Sequence, residues 1–186
     1  MDWFFNKEHR YAAYEVSKQR LREVDTTDSF FMPFRKAYGN YYDKWLILKK
    51  DDYVYTVYDQ TQLIGFLKLK IEDKVDDFTA IMPPFRILPR LKISSMRTLD
   101  SYPGLGSQLM GIILNFALKN GLNEIYGTIP KDLPEKSRTD TFFEKWGFRV
   151  WGQKISRGII ETVIYRNLTE RPINKDLIGL FPLSSL

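Results

Sequence analysis

The chain has 186 residues, enough for one domain with appendages and for a core that needs no metal or disulfide staple. Apolar residues make up 44% and aromatics 15%, which excludes wholesale disorder, and the net charge of +5 is not gathered into a long block. The absence of cysteine excludes disulfides, thiolate metal sites and cysteine nucleophiles, and a single histidine disfavours structural zinc.

The opening MDWFFNKEHR has no basic region followed by an apolar one, so it does not read as a signal peptide. No apolar run approaches the ~18 residues of a membrane span. The expectation is a soluble, cytoplasmic protein with no membrane partner. From Asn6 to Val24 the recurrence of Tyr11, Tyr14, Leu21 and Val24 among charges predicts an amphipathic helix. DTTDSFFMPFRKAYGNYYD is aromatic and broken by Pro33 and Gly39, which predicts a short helix plus loop. KWLILKK and YVYTVY are β-rich. After the turn DQTQ, Leu63, Gly65, Leu67, Leu69 and Ile71 share one parity, with Lys68 and Lys70 on the other. That alternation predicts a half-buried antiparallel strand. MPPFRILPR predicts an irregular loop leading into a strand over Leu91 to Thr98.

DSYPGLGSQLMGIILNFALKNG predicts a turn, a helix from about Gly106 to Asn120, and Gly121 as its cap. EIYGTI is a strand, TDTFFEKWG ends a helix at Gly147, and FRVWGQ and GIIETVIYRNL form a hairpin. A strand–helix–strand unit after a meander implies an α/β (α+β mixed) sheet with helices on both faces. The expected organisation is one domain over 1–168. It comprises a helical part (1–45), a strand meander (46–99) and a C-terminal half (100–168). The apolar tail 169–186 packs on the domain or on a partner, which allows a homodimer.

The glycine turn admits two readings. Gly104 and Gly106 sit just ahead of a helix N-terminus, where unpaired N–H groups and partial positive charge can cradle a phosphate, and Ser107 can cap or donate. Pro103-Gly104 is equally an ordinary turn dipeptide. The segment is not a Walker A loop, and Leu109 stands where a dinucleotide fingerprint needs its third glycine.

Two segments together, Ser101-Tyr102-Pro103-Gly104-Leu105-Gly106 and Phe142-Phe143-Glu144-Lys145-Trp146-Gly147-Phe148, resemble the GNAT superfamily of N-acetyltransferases. The resemblance covers roughly Tyr53 to Leu168. It implies the GNAT fold, a mostly antiparallel twisted sheet with helices on both faces, and acetyl-CoA as co-substrate. By that resemblance the backbone from Tyr102 through Gly104, Leu105 and Gly106 to Ser107 holds a pyrophosphate. Met96, Arg97 and Thr98 lie along the pantetheine arm and polarise the thioester carbonyl. That strand splays from Glu124–Ile129, and Phe143 adjoins the donor.

Two positions depart from the family pattern. Ser101 stands where the motif opens with Arg or Gln; Arg86, Arg90, Lys92 and Arg97 are nearby cations able to compensate, or simply a solvated face. Phe143 replaces the tyrosine that protonates the departing thiolate, and Ser137, Thr139 and Tyr102 are the stand-ins to consider. For the general base, Glu72, Glu124 and Tyr126 are candidates; Tyr126 and Glu124 are preferred because they occupy the strand beside the splay. His9 sits on the first predicted helix with no nucleophile motif around it, so a Ser-His-Asp triad is discounted. No metal site is expected. Phe30, Phe31, Phe34, Tyr38, Tyr41 and Tyr42 either line an acceptor pocket or form core.

The leading expectation is direct acetyl transfer from acetyl-CoA to an amine on a small molecule, a protein or an aminoacyl-tRNA. The alternative is an acyl-CoA-binding or interaction module with weak or no catalysis, for which Phe143 speaks. A nucleic-acid partner is a third reading, favoured only by the charge.

Overall fold

Alternation along the central strands decides which face each element covers. The computed structural model describes residues 14–74, 81–85, 87–133, 136–156 and 158–172. Its strands are β1 (Ser17–Arg20), β2 (Tyr53–Asp59), β3 (Gln62–Glu72), β4 (Ile81–Met82), β5 (Arg90–Thr98), β6 (Glu124–Pro130), β7 (Arg149–Ser156) and β8 (Ile159–Asn167). They form one eight-stranded sheet in the order β1-β2-β3-β5-β6-β8-β7-β4. Every neighbouring pair is antiparallel except β5 with β6.

The helices are α1 (Met32–Tyr38), α2 (Asn40–Leu48), α3 (Leu105–Lys119) and α4 (Lys136–Lys145). On one face Val57, Leu67, Ile93, Ile125 and Ile129 pack with Leu109, Met110 and Ile113 of α3 and Phe143 of α4. On the other, Val54 and Phe66 pack with Phe30, Phe31, Tyr42 and Leu46. Further along that second face Tyr126, Val163 and Tyr165 are covered by Ile81 and Phe85. This is a mixed sheet with helices on both faces, as the sequence implies.

α3 ends as its sequence predicts. Gly121 takes a φ of +64°, and the N–H groups of Gly121 and Leu122 donate to the carbonyls of Leu118 and Ala117 at 3.1 and 2.9 Å. That pairing is a Schellman cap, which needs a left-handed residue at Gly121.

Four local expectations are corrected. The described part of the predicted Asn6–Val24 helix is β1 followed by one 3₁₀ turn (Leu21–Glu23); residues 6–13, with His9, lie outside the described residues. Ser17–Arg20 pairs with Tyr53–Thr56, and the Arg20 guanidinium stacks 3.7 Å from the Tyr53 ring. Ladder bonds to a neighbouring strand override a helical period this short. KWLILKK lies largely in α2, not a strand. A continuous apolar run does not separate the two periods. Here Leu46 is buried while Ile47 and Leu48 are 69% and 77% exposed. β3 is covered on both faces over Leu63–Lys68 rather than half-buried, and its Lys68 ammonium is paired with Asp52 at 2.7 Å. The predicted irregular loop MPPFRILPR opens within β4, which pairs with Gln153 and Lys154 of β7.

Phe31 is fully buried and meets Phe30 and Phe66 edge-on, at centroid distances of 5.3 and 5.1 Å. Phe31→Ala is expected to lower unfolding free energy by about 3–5 kcal/mol in a denaturant titration, because it empties a close-packed site.

Candidate active site

The parallel pairing of β5 with β6 is short. It runs through Leu91↔Ile125, Lys92↔Tyr126 and Ile93↔Gly127. On the other side of β5, Lys68 pairs with Ser95 and Leu69 with Ile93, so Ser94 is an extra residue. A bulge of this kind bends its strand and turns it away from a neighbour. β5 stays paired to β3 as far as Gly65↔Thr98. Beyond Ile93 its other edge faces a gap instead of β6.

A cleft of about 310 Å³ occupies that gap. Pro33 and Phe34 of α1 line it from one face of the sheet, and Gly106, Phe142 and Phe143 from the other. Met96, Arg97 and Thr98 form its wall. The cleft therefore reaches from one helical layer to the other through the parted strands.

The turn before α3 closes one end. Gly104 has φ +85°, a left-handed conformation that L side chains rarely adopt. A Cβ on Gly106 would lie 3.2 Å from the Phe142 ring, so its absence lets α4 approach the start of α3. The helical bonds begin where the Gln108 N–H donates to Gly104 O at 3.0 Å, which leaves Gly106 and Ser107 in the first turn with N–H groups pointing out of the helix end. Tyr14 and Gln108 exchange hydrogen bonds, the Tyr14 hydroxyl donates to Pro103 O, and the Tyr102 hydroxyl donates to Asp59 at 2.7 Å. Arg138, at the start of α4, is paired with Asp100 across the cleft, and both side chains are exposed.

On the α1 face, where the strands part, lies a cluster of buried polar groups. Glu161 of β8 accepts from the Tyr38 hydroxyl at 2.6 Å and from the Thr128 hydroxyl at 2.9 Å, and its other oxygen is 3.6 Å from the Lys154 ammonium. Burial, then the nearby Glu161 charge, push the Tyr38 phenol far above its ordinary range, so it stays a donor. Further along the same face Glu72 accepts from Arg90 at 2.9 Å and from Tyr126 at 2.8 Å, with Lys92 4.0 Å away. Burial opposes ionisation of Glu72, yet Lys92, Tyr126 and Arg90 outweigh it and hold the carboxyl below its usual range. Burial pushes the Lys92 ammonium down to about 8, with repulsion from Lys154 adding to it and Glu72 and Glu161 opposing it.

The structure brings Met96, Arg97, Thr98, Tyr102, Gly104, Gly106, Ser107 and Phe143 together on the cleft. Leu105 is not on it: its side chain is fully buried and its N–H donates to Tyr102 O. Tyr126 and Glu124 are not on it either. Tyr126 is paired across from Lys92, before the strands part, and its hydroxyl is committed to Glu72. Glu124 opens β6 at the opposite end and accepts from Asn167 at 2.9 Å. Among the expected compensating cations, Arg90 is buried against Glu72, Lys92 faces the polar cluster, Arg97 lines the cleft and donates to Phe30 O, and Arg86 lies outside the described residues. Of the stand-in acids, Thr139 and Tyr102 line the cleft and Ser137 is exposed. Among the described residues no group of three or more acidic or histidine side chains is placed to hold a metal, and no helix is long and apolar enough to cross a membrane.

Arg138 and Glu161 were not singled out from sequence. Arg138 carries no local signal in the segment before TFFEKWG. Glu161 carried a usable signal: in GIIETVIYRNL it shares the parity of Val163 and Tyr165, an acid on the buried side of a strand.

No family model matches the sequence, and no curated protein does. Solved structures do. An acetyltransferase from Bacillus subtilis in complex with CoA is 16% identical, with 83% of this chain and 99% of that one covered at a TM-score of 0.50. The PaiA N-acetyltransferase from Thermoplasma acidophilum in complex with coenzyme A is 15% identical, covering 82% and 99% at 0.52. The IAA acetyltransferase from Bacillus cereus is 12% identical, covering 83% and 100% at 0.52. At these identities the likeness shows the fold, which is that of the GNAT acetyltransferases.

Two measurements check the geometry. Gly104→Val is expected to cost about 1–2 kcal/mol or more in a denaturant titration, the strain of a left-handed β-branched residue. An NMR titration of lysine side-chain nitrogens is expected to place the Lys92 midpoint near 8. A midpoint with the exposed lysines would mean that this ammonium is hydrated.

Proposed function

We propose that this chain, built on the GNAT acetyltransferase fold, is an acetyl-CoA-dependent N-acetyltransferase that passes the acetyl group directly to an amine. One observation carries the reading. The open edge of β5 and the glycine turn of α3 lie on the walls of a single cleft that crosses the sheet. An unpaired strand edge inside a sheet offers N–H and C=O groups in register for an amide-bearing chain such as pantetheine. The helix N-terminus beyond it offers N–H groups and partial positive charge to a pyrophosphate. Two of the structures with this fold are complexes with CoA, which supports the same use of the cleft here.

In this reading the backbone of Tyr102 to Ser107 holds the pyrophosphate, and Leu105 contributes only by anchoring the turn. Arg138 supplies the charge that Ser101 cannot. It is positioned on the cleft, and its exposed partner Asp100 can exchange it for a phosphate at little cost, since solvated ion pairs are weak. Met96 to Thr98 align the pantetheine arm, and a β5 N–H polarises the thioester carbonyl, where the developing oxyanion is stabilised. With no cysteine in the chain, a thiolate acyl-enzyme is excluded and the amine attacks the donor itself. Phe143 is buried against Phe142 and Phe148 and has no proton to give. That observation favours a second reading, a CoA-binding module with little turnover. Thiol release separates the two readings.

Calorimetry on the purified chain is expected to show acetyl-CoA binding that weakens when the phosphates are trimmed. Arg138→Ala is expected to weaken it by about tenfold, the worth of one charge-assisted contact. No binding at millimolar ligand would remove the donor site. Unchanged affinity in a folded Arg138→Ala variant would remove the role of Arg138.

A further inference from the structure

We infer that Glu161 is the group that takes the proton from the acceptor's ammonium, and that Tyr38 holds it ready. The inference rests on the acetyltransferase reading and adds a residue to it. Glu161 is buried just behind the cleft wall, and three observations place it beside the open edge of β5.

The first is level. Glu161 pairs with Pro130 across β6 and β8, and Pro130 is three residues past the last β5–β6 pair, as Met96 is on β5 with the bulged Ser94 counted. Glu161 is thus abreast of the open edge of β5. The second is side. Tyr38, which donates to Glu161, is four residues after Phe34 on α1, and Phe34 lines the cleft. Side chains at that spacing are neighbours, about 5–6 Å apart at Cβ. The carboxylate therefore lies behind the α1 wall of the cleft, opposite the α3 turn, with Tyr38 between them. The third is attachment. The Lys131 N–H donates to Ile160 O at 2.9 Å, so the strand carrying Glu161 is tied to the segment that brings Leu133 to the cleft wall.

The chemistry fits the surroundings. Glu161 is buried, and Tyr38, Thr128 and Lys154 satisfy it through donors only, the pattern an ammonium can replace. The phenol of Tyr38 occupies the carboxylate until an alkylammonium displaces it. Glu161 then takes one proton from that nitrogen. The freed lone pair attacks the thioester carbonyl carbon, forming the C–N bond. Collapse breaks the C–S bond and leaves an amide. The second nitrogen proton passes through solvent to the departing sulfur, giving the free thiol of CoA, and Glu161 returns its proton to solvent. Tyr126 and Glu124 take no part in this step.

The test compares two nucleophiles. Thiol release from acetyl-CoA is followed at pH 7 with tyramine, an ammonium there, and with hydroxylamine, which is mostly neutral. Glu161→Gln keeps the shape and can still accept from Tyr38 and Thr128, but it cannot take a proton. It is expected to lose about 10²–10⁴-fold with tyramine, at least about tenfold more than with hydroxylamine. Calorimetry on the same variant is expected to show acetyl-CoA affinity retained. Glu161→Asp, which keeps the carboxylate, is expected to recover part of the tyramine rate. Equal losses with the two nucleophiles, no loss with tyramine, or no release by the wild-type chain with either while acetyl-CoA binds would each overturn the assignment. Absence of acetyl-CoA binding by the wild-type chain would instead remove the donor site, and this role with it.

Discussion

Past Ile93 and Gly127 the ladder between β5 and β6 stops, while β5 remains bonded to β3 as far as Thr98 and β6 to β8 as far as Pro130. The rest of the site depends on this parting. Strands in the middle of a sheet ordinarily satisfy both edges, because unpaired backbone groups away from water are costly. Here the extra residue Ser94 turns β5 aside just beyond the last pair, and two strand edges face an opening instead of each other. The opening joins the layer of α3 and α4 to the layer of α1.

What surrounds the opening is rigid on one side and polar on the other. On the α3 side, Tyr14, Gln108, Tyr102 and Asp59 fix the glycine turn through hydrogen bonds from distant parts of the chain. A backbone cradle needs this, since its donors act by position alone. On the α1 side the sheet buries Glu72, Arg90, Lys154 and Glu161 between two apolar clusters. Buried ion pairs of this kind add little net stability, because desolvation offsets their attraction.

The departures from the family pattern leave the shape of the glycine turn intact. The turn keeps its glycines and its helix end although Ser101 opens it, and a cation reaches the same cleft from α4. Phe143 keeps the packing function of its position, sealing α4 to Phe148, and gives up any proton chemistry.

Much of this protein was legible in its sequence wherever the determinant is local. The helix of α3 with its Gly121 cap, the strand β6, the α4–Gly147 stop and the β7–β8 hairpin all follow from short-range period and turn chemistry. That the glycine turn and Met96 to Thr98 share one cleft agrees with the sequence reading, because a turn is built from consecutive residues. Ser17–Arg20 and Asn40–Leu48 were misread because an edge strand and a short apolar helix are chosen by the partners they meet, Tyr53–Thr56 in the first case and Phe31 and Phe66 in the second. The polar side chains around the parting were not legible either, for the same reason. Tyr126 and Glu124 lie on the expected strand, but register sets them before the parting, whereas Tyr38, Thr128 and Glu161 come from α1, β6 and β8 and meet only when the sheet is assembled. Sequence alone determined the elements and the turn that can hold a phosphate. Tertiary structure alone decided which side chains share the gap, because strand register and a single bulge set that proximity, and neither is a property of any local stretch.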